Sequence, residues 1–132
     1  MAQSAGARLH TVLPPTPDSV RKARELVRSL CASTAVHADT DTVLLLVSEL
    51  VSNAVKHTSG VLEISARQAG STLRVEVSDG SPTMPALQDH SVDSTGGRGL
   101  QMVDKLADRW GADRTGPGPG KTVWFEIGPR VG

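Results

Sequence analysis

The feature that most narrows the folds open to this chain is a change of hydrophobic period near residue 60. Over residues 40–57, "TDTVLLLVSELVSNAVKH", Val43, Val47, Leu50, Val51, Ala54 and Val55 recur every three or four positions, the spacing of one helical arc. Over "VLEISAR" and "TLRVEVSD", residues 61–67 and 72–79, apolar and polar residues alternate instead, the period of a strand with one covered face. The "QAGS" between them supplies a turn, so an antiparallel hairpin is expected, with Leu73, Val75 and Val77 toward the core. An amphipathic helix followed at once by a half-covered hairpin is satisfied when helices stack on one face of a sheet.

The remaining segments extend that plan. "RLHTVLPP" reads as a short strand stopped by Pro14 and Pro15. After Pro17, with Asp18 or Ser19 as cap, Val20, Ala23, Val27 and Leu30 predict a helix over residues 19–31. Asp39 or Thr40 is the expected cap of the second helix, and Gly60 follows its end. Residues 80–97 contain Pro, Gly, Ser and Asp without a sustained period, a loop long enough to serve as a lid. A third helix is expected from Gly99 to Ala107, with Leu100, Val103 and Leu106 on one stripe. "RWGADR" and "KTVWFEI" then read as strands joined by "TGPGPG". The fold class is α+β: a two-layer sandwich of a mixed, mostly antiparallel sheet with three helices on one face. Residues 1–7 are expected to be a disordered start, residues 8–128 one domain, and residues 129–132 a tail.

Composition excludes several classes. Lys plus Arg and Asp plus Glu number 14 each, and the aromatics are only Trp110, Trp124 and Phe125, which argues against direct nucleic-acid binding. The single Cys31 cannot form an intramolecular disulfide, and His10, His37, His57 and His90 lack ligand spacing. The longest apolar run, residues 43–47, is far below the ~20 residues of a membrane span. No signal-peptide pattern opens the sequence, so a soluble, cytoplasmic protein is expected, with no membrane partner.

Three segments carry candidate chemistry. In "ELVSNAVKHT", Glu49, Asn53 and His57 recur at intervals of four, so an acid and an amide can share one helix face a turn apart, an arrangement suited to a hard cation. For an arbitrary helix a solvated face is the commoner reading of such a row, and the helix alone decides nothing. Asp79 stands at a strand end in "VSDGSP", where an isolated Asp-Gly is commonly just a turn. "STGGRGLQMV" brings Gly96, Gly97 and Gly99 to a helix start, where unhindered N–H groups and the positive helix end favour phosphate. Neither the P-loop pattern nor the dinucleotide Gly-x-Gly-x-x-Gly is present.

Taken in order, these segments resemble the Bergerat-fold ATP-binding domain shared by gyrases, histidine kinases and small anti-sigma-factor serine/threonine kinases. The resemblance spans residues 9–127 and is most specific in "SELVSNAVKHT" and "GGRGLQMVDKLADRWG". The closing "GKTVWFEI" looks like the anti-sigma kinase branch, particularly its actinobacterial members. That resemblance implies ATP and Mg2+ as cofactors. Asn53 would hold the metal, and Glu49 would orient or deprotonate the attacking hydroxyl. Asp79 would accept from the adenine amino group, with Thr122 supporting that contact through water and Gly80 in the same box. Gly96, Gly97, Gly99 and Leu100 would lie along the nucleotide, Arg98 or Lys56 would add positive charge, and residues 82–96 would form the lid. His57, inside the nucleotide helix, is not expected to be a phosphoacceptor. The implied partners are a sigma factor, an anti-anti-sigma (STAS) protein, or both, and related regulators are commonly homodimers. One departure stands out: Ser81 and Thr83 occupy the two glycine positions of the first glycine box, which makes a noncatalytic binding module of the same fold the alternative to a kinase.

Overall fold

The computed structural model describes residues 8–33, 38–82, 95–116 and 118–129, with residues 33 and 95–99 described by backbone alone. The expected disordered start, most of the lid and the end of the tail lie outside the described residues.

Eight elements follow one another: β1 (Arg8–Leu13), α1 (Asp18–Ser33), α2 (Thr40–His57), β2 (Leu62–Ala69), β3 (Thr72–Asp79), α3 (Thr95–Leu106), β4 (Arg109–Arg114) and β5 (Lys121–Ile127). Asp39 caps α2: its backbone is extended and its carboxylate accepts from the Thr42 N–H at 3.0 Å, satisfying one of the donors that a helix start leaves free. At the other end, Thr58 returns to extended backbone while its N–H still reaches the Ala54 carbonyl. The arc that the periodicity predicts is buried at Val43, Val47, Leu50, Val51 and Ala54, and Leu44 and Leu46 are buried as well. The arc is wider because α2 is central: α1 and α3 flank it while it also meets β3 and β5. A helix with neighbours on more than one side needs a broader apolar surface than one lying on a sheet alone.

The five strands form one sheet in the order β1-β2-β3-β5-β4, every neighbouring pair antiparallel. The structure is thus more uniform than the mixed sheet expected from sequence. Ala69 pairs with Thr72, leaving Gly70 and Ser71 as a two-residue turn, and Gly70 has φ 62, a conformation that favours glycine. Alternation divides the sheet into two faces. Leu62, Ile64 and Ala66 of β2, Leu73, Val75 and Val77 of β3, and Val123, Phe125 and Ile127 of β5 lie under the helices in one continuous core. Phe125 is fully buried, which contributes up to about 3 kcal/mol relative to exposure. The opposite face carries arginines, carboxylates and Trp124, and no described element covers it.

Candidate functional site

The strands determine what the end of the sheet can offer. Along β5, Lys121, Val123, Phe125 and Ile127 share the covered face, so Lys121 enters the core as the fourth member of an apolar row. Its cross-strand partner is Asp79, the last residue of β3 and likewise on the covered face. The Lys121 ammonium donates to both carboxylate oxygens, at 2.9 and 3.0 Å, and the Ser81 N–H donates to Oδ1 at 2.7 Å. Both side chains are almost completely removed from solvent, Lys121 at 2% and Asp79 at 1% exposure. A buried ion pair of this kind is tolerated because the two charges meet each other through two contacts and the carboxylate is met by the Ser81 N–H as well.

Gly120 shows why the chain closes tightly here. A Cβ at that position would stand 2.9 Å from the Asp79 carbonyl oxygen, so glycine permits the β4–β5 connection to approach β3. A hollow of about 400 Å³ opens beside this end of the sheet, lined among others by Gly60, Val61, Ser78, Asp79, Thr115 and Gly120.

Thr122 is not placed beside Asp79. A one-residue step along a strand moves a side chain to the other face, and the Thr122 hydroxyl instead shares a 2.7 Å hydrogen bond with Ser78 on the uncovered face. The position next to the Asp79 carboxylate belongs to Lys121. That residue was legible as a lysine in the row Lys-x-Val-x-Phe-x-Ile, because a cation on the buried face of a strand requires a counter-ion.

Glu49 and Asn53 lie on consecutive turns of α2, both half-buried, and neither side chain has a hydrogen-bond or ion-pair partner among the described residues. Neither lines the hollow beside Asp79. Lys56 and His57 are exposed in the last turn of the same helix. Gly80 is exposed and a Cβ there would meet nothing within 4 Å, so no neighbouring described residue requires glycine at that position.

The third helix begins earlier than Gly99. It starts at Thr95, so Gly96, Gly97 and Gly99 form its first turns instead of a loop before it. Glycine has weak helix propensity, which is why sequence reasoning starts the helix after them. The free N–H groups that favour anions therefore belong to residues 95–98. Arg98 lies in this turn with its side chain outside the described residues, and Leu100 is buried. α3 packs against α2, so the element carrying Glu49 and Asn53 and the element carrying the glycines are direct neighbours. Thr83 falls outside the described residues.

The donor set suits a metal carried by phosphates more than one held by the protein alone. Among the described residues no group of three or more His, Cys, Asp or Glu side chains converges. A single amide oxygen at Asn53 and a carboxylate one turn away match the sparse protein ligation of Mg2+, which keeps waters and substrate oxygens as its other ligands.

Comparison with known proteins gives the family and the fold. The family described as the histidine kinase-like ATPase domain matches residues 13–127. The chain belongs to that family, and membership implies ATP binding, usually with Mg2+. Among solved structures, the catalytic domain of the histidine kinase ThkA, in a nucleotide-free form, is similar with a TM-score of 0.58 and 19% identity, covering 91% of this chain and 95% of that one. The likeness supports the α+β fold. No curated protein matches the sequence significantly. Among the described residues no helix is long and apolar enough to cross a membrane.

Proposed function

We propose that this chain binds ATP with Mg2+ and acts as an anti-sigma-type serine/threonine kinase that phosphorylates an anti-anti-sigma (STAS) partner, thereby controlling sigma-factor availability. The observation that carries the reading is the pair Glu49 and Asn53, one turn apart and without side-chain partners among the described residues, on a helix packed against the helix whose first turns hold Gly96, Gly97 and Gly99.

Bound nucleotide and metal would supply the transferable phosphoryl group and the charge that stabilises its transfer. The protein's part is positioning. The Asn53 amide oxygen would hold the metal, and the Glu49 carboxylate would accept the proton of a serine or threonine hydroxyl. N–H groups at the start of α3 would face phosphate oxygens, and Lys56 and Arg98 would add positive charge. At the base end, the Asp79 carboxylate would meet a base amino group through Oδ2, which accepts one contact where Oδ1 accepts two.

The measurement is incubation with labelled ATP, Mg2+ and candidate STAS protein, beside calorimetry of nucleotide binding. Label transfer that disappears in Glu49→Gln, with nucleotide binding retained, is expected. Micromolar binding lost in Asn53→Ala is the companion expectation. If the partner binds but receives no label, the kinase activity is refuted.

A second reading is favoured by the Asp79–Lys121 pair together with Ser81 and Thr83: a noncatalytic protein-binding module with weak or no nucleotide turnover. It predicts no binding heat at millimolar ATP while partner binding persists.

A further inference from the structure

The uncovered sheet face holds charge that the fold does not neutralise. Arg8 pairs in register with Arg67, Arg67 with Arg74, Arg74 with Glu126, and Glu126 with Arg109, so one row crosses all five strands with four arginines and a single carboxylate. Like charges directly opposite one another on neighbouring strands are destabilising. Arg74 is compensated: it donates to Glu76 at 2.6 Å and to Glu126 at 2.7 Å, and its guanidinium lies 4.1 Å from the Trp124 ring centroid. Glu126 is further engaged by Arg109. Arg8 and Arg67 are exposed and have no carboxylate partner among the described residues. Together with His10, Arg74 and Glu76 they line a shallow hollow of about 230 Å³.

Four residues further along the same strands the sign reverses. The row Val12, Glu63, Ser78, Thr122 and Asp113 carries two carboxylates and no cation. The face is therefore basic at one end and acidic at the other, about 13 Å apart at strand rise.

We infer that the Arg8–Arg67–Arg74 row is a docking site for an acidic helix of a partner protein, distinct from the nucleotide region and independent of nucleotide. Strands lie about 4.8 Å apart, so successive guanidiniums repeat at nearly the interval of carboxylates at i, i+3 and i+4 on a helix, about 5–6 Å between Cβ atoms. A helix laid across the strands could place one carboxylate against each of Arg8 and Arg67, while Arg74, already met by Glu76 and Glu126, would give the row a rigid inner end. A long polyanion is disfavoured because Glu63 and Asp113 repel its continuation, and Trp124, the aromatic nearest the row, is already covered by Arg74.

The test titrates the full chain with a synthetic helical peptide bearing glutamates at i, i+4 and i+8, with its glutamine counterpart and with a single-stranded oligonucleotide. The glutamate peptide is expected to bind, to weaken with added salt, and to lose about tenfold or more in affinity to the Arg8→Gln, Arg67→Gln double variant. Both substitutions are at exposed positions, and Arg67→Lys should retain most of the binding. Absence of binding at millimolar peptide, or equal affinity in the double variant, overturns the proposal. Tighter, equally arginine-dependent binding of the oligonucleotide overturns it in favour of a nucleic-acid surface.

Discussion

Removing the Lys121 ammonium while keeping its stem would strand Asp79 in the core with only the Ser81 N–H to meet its charge. Lys121→Met is accordingly expected to lower unfolding free energy by about 3–5 kcal/mol. The double variant Asp79→Asn, Lys121→Met should recover part of that loss, because no unpaired charge remains. Denaturant titration of both variants with the parent chain gives the coupling directly. Gly111 is a second residue with little freedom: a Cβ there would come within 2.7 Å of the Trp124 ring, which is itself held by a hydrogen bond to Asp113 and by Arg74. Gly111→Ala should cost about 1–3 kcal/mol through that overlap, read as a lower melting temperature.

Among the elements, α2 was the most legible, because eighteen residues of helical period outweigh local ambiguity and Asp39 announces its start. Asp39→Ala should cost about 1 kcal/mol, measured by thermal unfolding, since the Thr42 N–H loses its acceptor. The β2–β3 hairpin was equally plain, with strict alternation on either side of a glycine turn. Two parts were not. The start of α3 was misplaced because glycines depress local propensity while packing against α2 sustains the helix through them. The Lys121 contact to Asp79 was missed because the resemblance directs attention to Thr122, whereas strand parity puts Lys121 on the face of Asp79. Glu49 and Asn53 could be named from their spacing, but their lack of side-chain partners among the described residues depends on the neighbours of α2, which no single helix reveals.

On the scale of the whole molecule, the two faces of the sheet obey different physics. The covered face is held by apolar burial and one ion pair, whereas the uncovered face is a lattice of charges whose balance follows pH. Glu126 is held below its ordinary pKa of 4.5, chiefly by the hydrogen bond from Arg74 and then by that from Arg109. The stabilisation this carboxylate supplies is therefore complete above 4.5 and is lost as pH falls through its lowered value in the folded state. Acid unfolding of Glu126→Gln should show a shallower loss of stability below pH 4.5 than the parent chain, checked by melting temperature across that range. The covered face has a different bearing on encounter. Because Lys121 and Asp79 form a neutral doublet, a polyanionic nucleotide nearing that rim of the domain meets no net repulsion from the carboxylate. With Asp79 reading the base as proposed, ionic strength should tune the grip on phosphates and leave discrimination among bases almost untouched.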